Sequence, residues 1–277
     1  MKDRTLLNWV RIALVVSAVM QVFFGFRLLF DPGSITEMWP WPMTPITARL
    51  LGASTLVSVP LALLSVWFNR FSSARLPMIM VLTYRVLQLA AGFIHFDRFD
   101  LGSPTTWNYF GGGGIILLAL LFSLVRGPVL GDEALGAHPF LRGDAKLKMS
   151  ATGKSIFRAV SILFILLGAI FFALGAKAGW LWFEQDGNLT NLTARLFASP
   201  MIGLGLAAWI ITTCSYWKQV GIPAVGMSTF GVAGVITIFL ESASIQPPTE
   251  FGYIVVAAPI LLLGMGVYLL LPARSSA

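Results

Sequence analysis

Thr47-Ala48-Arg49-Leu50 returns as Thr193-Ala194-Arg195-Leu196, at an offset of 193 − 47 = 146 residues. At the same offset Thr44 matches Thr190, Pro77 matches Pro223, Thr83 matches Thr229 and Phe93 matches Phe239. The offset then slips by two, so that Pro104 matches Pro248, Thr105 matches Thr249 and Tyr109 matches Tyr253. A single register with one short indel reads as an ancient duplication of about half the chain. The expected organisation is a first repeat over 1–126, a linker over 127–154 and a second repeat over 155–277.

Composition says what solvent those repeats face. Hydrophobic residues make up 57% and charged residues 11% of the 277, with a mean hydropathy of +0.81. A soluble domain carries about 25% charged residues, so lipid is the expected surroundings for most of the surface. At about 20 apolar residues per spanning helix, the chain has room for about eight spans. A β-barrel would show alternating segments of about ten residues; here the apolar runs are continuous and about twice as long. The expected fold class is therefore all-α, a polytopic helical membrane protein with eight transmembrane helices.

The spacing predicts spans beginning near residues 11, 46, 77, 106, 156, 192, 222 and 251. The basic run before the first span resembles a signal peptide, but the apolar stretch is long for one and is read as a retained span. Between the first two spans, Trp39-Pro40-Trp41-Pro42 is too Pro-rich for helix, and its tryptophans suit a bilayer interface. With eight spans, both termini and the linker share one side. That side receives thirteen of the nineteen basic residues, so positive-inside asymmetry makes it cytoplasmic. Four spans per repeat, an even number, give both halves the same orientation, as parallel repeats about an axis along the membrane normal. The net charge of +7 is accounted for in this way and does not point to nucleic acid. The expected location is a bacterial inner membrane.

Arg85 stands out because a charge near a span's centre is costly and marks a functional candidate. Gln88, Gly92 and His95 follow at helical spacings on the same face, which could hold an anionic or polar ligand. The bland alternative is an arginine that snorkels or satisfies carbonyls inside the bundle. At the matching positions of the second half stand Gly231 and Gly234. Arg49 and Arg195 lie on the side that basic residues avoid, with Asp31, Glu37, Asp97, Glu184, Asp186 and Glu241 in neighbouring loops. They read either as clamps between a helix end and a loop, or as an entry site for an anionic solute or lipid headgroup. Gly111 to Gly114 weaken the fourth span by about 1 kcal/mol each relative to alanine. A packing face is one reading of them, and a weak point at a binding site is the other.

Enzymatic signatures are missing. Two histidines and one cysteine leave no His-rich or multi-Cys metal set, and no HExxH, Walker A, GxSxG or CxxC pattern occurs. No catalytic residue, metal or cofactor is expected, and the chain is not read as an enzyme.

The stretch from Trp39 to Gly52 resembles a group of uncharacterised bacterial multi-pass membrane proteins that carry Trp-Pro-Leu-Thr-Pro-Leu-Thr-Ala-Arg. A four-span half with an arginine on its second helix also looks like the DoxX-type four-helix membrane proteins. These resemblances imply the membrane architecture and bring no activity or site residues. The second half lacks the Trp-Pro part, so whatever that part does is not duplicated. The expected role is carrier-like, or the binding of a small anionic solute. The alternative is a non-transporting scaffold that holds a lipid or protein partner.

Overall fold

The structure, a computed structural model, describes residues 5–36, 39, 41, 43–126, 146–182, 189–247 and 249–271. Among these it is helical, without a named strand, and eight helices are long and apolar enough to cross a membrane. They are α1 (Asn8–Phe30), α2 (Pro45–Phe68), α3 (Phe71–Ile94), α4 (Pro104–Arg126), α5 (Ala151–Leu174), α6 (Asn191–Ile211), α7 (Trp217–Leu240) and α8 (Gly252–Leu270). The shortest has 19 residues, about 28 Å of axis against a hydrocarbon layer of about 30 Å. Their outward faces are apolar: Val125 and Phe239 are each 80% exposed, which suits lipid and not water.

Several boundaries differ from expectation. The third span starts six residues before Pro77, at Phe71, and Pro77 sits inside the helix. A proline is tolerated there because neighbouring helices and side chains in a membrane bundle re-satisfy the freed backbone groups. The fifth span begins at Ala151, where Ser150 caps it by accepting from the Gly153 amide at 3.0 Å. Most of the expected linker, residues 127–145, lies outside the described residues. Its end is held: the Leu147 amide donates to the Ser215 carbonyl at 2.8 Å, beside the loop between α6 and α7.

α1 lies along α2, α5 along α6 and α7 along α8, while α2 packs on α7 and α3 on α6 at the centre. α6 and α2 are the most buried helices and α4 the least. Small residues let the backbones approach. A Cβ on Gly52 would fall 2.8 Å from the Gly25 carbonyl oxygen, so α1 and α2 touch main chain to main chain there. The α7–α8 contact is as close: a Cβ on Gly231 would run into Leu263, and one on Gly234 into Pro259.

The repeated tetrapeptide is the first turn and a half of α2 and of α6. Thr44 is the N-cap of α2 and accepts from the Thr47 amide at 3.4 Å; Thr190 caps α6 and accepts from the Thr193 amide at 3.1 Å. A threonine cap satisfies an amide that the first turn leaves free. The arginine follows as the fifth helical residue in both.

Candidate functional site

A cation at a helix N-terminus opposes the helix dipole, so both repeated arginines need compensation, and each finds it on the preceding helix. Arg49 donates to the Leu29 carbonyl in the last turn of α1, and Arg195 Nε donates to the Phe172 carbonyl in the last turn of α5, at 3.0 Å. The C-terminal carbonyls of one helix are thereby capped from the start of the next. Each arginine also reaches across the molecule. Arg49 Nε pairs with Glu241 at 2.6 Å, and Arg195 Nη1 meets His95 Nε2. Since 241 − 95 = 146, the two partners are spaced as the arginines are. The Arg49–Glu241 pair is largely buried, with side chains 16% and 13% exposed, and is a structural tie. Glu37, Glu184 and Asp186 lie outside the described residues. Asp97 faces Arg98 on the surface at 3.5 Å.

His95 is therefore not a partner of Arg85, although helical spacing put them on one face. It is the C-cap of α3, where the helix has ended and the side chain turns toward α6. Partial burial, and then the Arg195 guanidinium, hold its pKa below the ordinary 6.5. Gly92 is taken up by packing, for a Cβ there would run into Tyr109 and Phe110 of α4.

Arg85 is residue 85 − 71 + 1 = 15 of the 24 in α3, about 14 Å from that helix's C-terminal end. Its Nη1 donates to Gln88 Oε1 at 2.6 Å. On the other side stands Gln21 of α1, whose amide is oriented by its surroundings. With its oxygen toward Arg85 it accepts from Nη2 at 2.9 Å, and its nitrogen donates to Ser58 Oγ at 2.9 Å and the Thr55 carbonyl at 3.1 Å. The Tyr84 ring lies 5.4 Å from the guanidinium carbon. Arg85 Nε is buried and has no partner among the described residues.

These groups line a cavity of about 400 Å³ bounded by α1, α3, α4 and the Trp39–Trp41 segment. Trp39 and Trp41 stack edge to face at 5.3 Å, and Trp41 continues to Phe99 at 5.6 Å. Both indole Nε1–H groups are buried without an acceptor among the described residues. Tyr109 donates to the Gln88 main-chain carbonyl and so braces α4 against α3. Asn108 to Gly112 form a π-helical turn in α4, a local widening often found at functional sites. Gly112 and Gly113 line the cavity. Gly111 and Gly114, the outer two of the four-glycine stretch, stand off its wall, and a Cβ on either would meet nothing within 4 Å.

Gln21 and the two tryptophans escaped the sequence reading as site residues. Gln21 was legible as the one amide in the apolar stretch of α1. Nothing in the sequence brings Trp39 and Trp41 to Arg85, because that depends on how the connection between α1 and α2 folds back.

The chain is an integral membrane protein with eight helices of membrane-spanning length among the described residues. No family model matches it, and neither does any curated protein or solved structure.

Proposed function

We propose that the protein is carrier-like and binds an anionic solute in the cavity between α1, α3 and α4, with Arg85 as the binding charge. One observation carries the reading. A mid-span arginine lines a cavity whose described lining contains no carboxylate, and its buried Nε–H has no partner among the described residues. Desolvating a cation is costly, and the two glutamines supply only neutral acceptors. An anion would complete the site. The role is binding and passage rather than catalysis. A purified sample should be thermally stabilised by a panel of anions, and Arg85→Gln should remove that stabilisation while leaving the unliganded melt nearly unchanged. An equal anion response in both proteins would refute the reading.

Binding without flux in liposomes would favour the second reading, a non-transporting protein that holds a lipid or protein partner. The sideways exposure of the cavity between α1 and α4 is the observation on its side.

The duplication belongs to the same proposal. It is supported by the contacts, since matching α1–α4 with α5–α8 in order turns the α1–α2 pairing into α5–α6 and α2–α7 into α6–α3. The gripped carbonyls are 172 − 29 = 143 residues apart, so the connection after the first helix would be three residues longer in the second half. On that offset Gln21 corresponds to the buried Phe164, and on the main offset Arg85 and Gln88 correspond to Gly231 and Gly234. The binding site is thus proposed for one half only. Both termini are proposed to face the cytoplasm of a bacterium, with the protein in its inner membrane.

A further inference from the structure

Resting on that reading, we infer that the ligand is a single-chain amphiphile with a small anionic head, taken sideways from the bilayer between α1 and α4. The cavity is long. Its α1 wall runs from Trp9 to Phe24, sixteen residues or about 22 Å of axis, so 400 Å³ makes a slot and not a chamber. The slot changes character along its length. Around Gln21 and beyond it stand the donors: Arg85, Gln88, Asn108 and the Trp39 and Trp41 indoles. Toward Trp9 the walls are Ile12, Ala13, Val16 and Ile116, with no charged side chain.

The slot also opens to lipid. Ile12, Val16 and Ile115 line it and are nevertheless 64%, 58% and 61% exposed, which puts them at a mouth along the α1–α4 seam. A water-soluble anion would leave the apolar stretch unfilled. A lipid with two chains and a bulky headgroup would have to carry that headgroup to Arg85, near mid-depth. One chain ending in a carboxylate or a comparable acceptor-only anion fits both ends. Arginine has five N–H donors; the two glutamines engage two of them, leaving three for the head.

The test uses the full chain in phosphatidylcholine nanodiscs and a hexadecanoic acid bearing a diazirine near its methyl end. After illumination, mass mapping should find the label on α1 and α4 between Ile12 and Val16 and near Ile116. Unlabelled hexadecanoate should compete at least tenfold better than hexadecanol or the methyl ester. Arg85→Gln should lower the yield at least tenfold. Ala13→Trp, which fills the slot and leaves the charge in place, should do the same in a protein of unchanged melt. Equal labelling of wild type and both variants, or equal competition by the alcohol, overturns the inference. If acetate or phosphate stabilises the protein through Arg85 while the C16 acid does not label, the anion site stands and the amphiphile fails. If no anion depends on Arg85, both fail.

Discussion

His95 and Glu241 do the same job with different chemistry. Glu241 gives Arg49 a full negative charge at 2.6 Å, whereas His95 gives Arg195 a ring nitrogen that accepts only when neutral. Arg195 and Arg98 bear on the His95 ring, as does the Asp97 carboxylate. Burial and Arg195 depress the His95 pKa, so the folded state binds fewer protons than the unfolded one. The stability this neutral ring contributes is complete above 6.5 and is lost as pH falls through the lower folded value. Melting in mild detergent at pH 7.5 and pH 5 should show that loss in the wild type and a smaller one in His95→Gln. His95→Glu would make the two ties alike. It should raise the neutral-pH melting temperature by about 2–4 °C, equivalent to about 1 kcal/mol. A steeper pH dependence in His95→Gln than in the wild type would contradict this account.

At the scale of elements, α4 and α8 use their neighbours differently. α8 is pressed onto α7 at Gly231 and Gly234, whereas α4 meets α3 through Tyr109, which packs on Gly92 and donates to the Gln88 main-chain carbonyl. Gly231→Ala should destabilise by about 1–3 kcal/mol, because a methyl there overpacks the contact with Leu263. Gly111→Ala meets open space and should be neutral or stabilising by up to about 1 kcal/mol. Chemical denaturation of the two variants side by side checks both signs, and equal losses would remove the distinction. The helices themselves were legible from apolar runs of span length. Their ends were less so, because Pro77 reads as the start of the third span in sequence but is absorbed inside α3 by neighbouring packing. Arg85 and Gln88 were legible from cost and spacing. Gln21, Trp39, Trp41 and Asn108 join them through contacts between elements, which periodicity does not encode.

For the whole molecule, orientation follows from where the basic residues gather. In a Cys214→Ser background, single cysteines at Gly102 and Ser244 should label from outside intact cells, and one at Ser215 only after lysis. In the wild type Cys214 would label slowly, since burial pushes its thiol up to about 11 and thiolate is the reactive form. Labelling of Gly102 and Ser244 from opposite faces would remove the eight-span arrangement, and labelling of Ser215 from outside would reverse the orientation.

The tie between Arg49 and Glu241 joins residues 192 positions apart, and this sets an order in time. A ribosome delivers Arg49 into the membrane with α2 and Glu241 only after α7. Until then Arg49 has its grip on the α1 carbonyl and no carboxylate across the molecule. His95 likewise waits 100 positions for Arg195. The cavity-bearing half is thus closed by contacts that arrive only with the other half, and its packing matures only once α7 has been made.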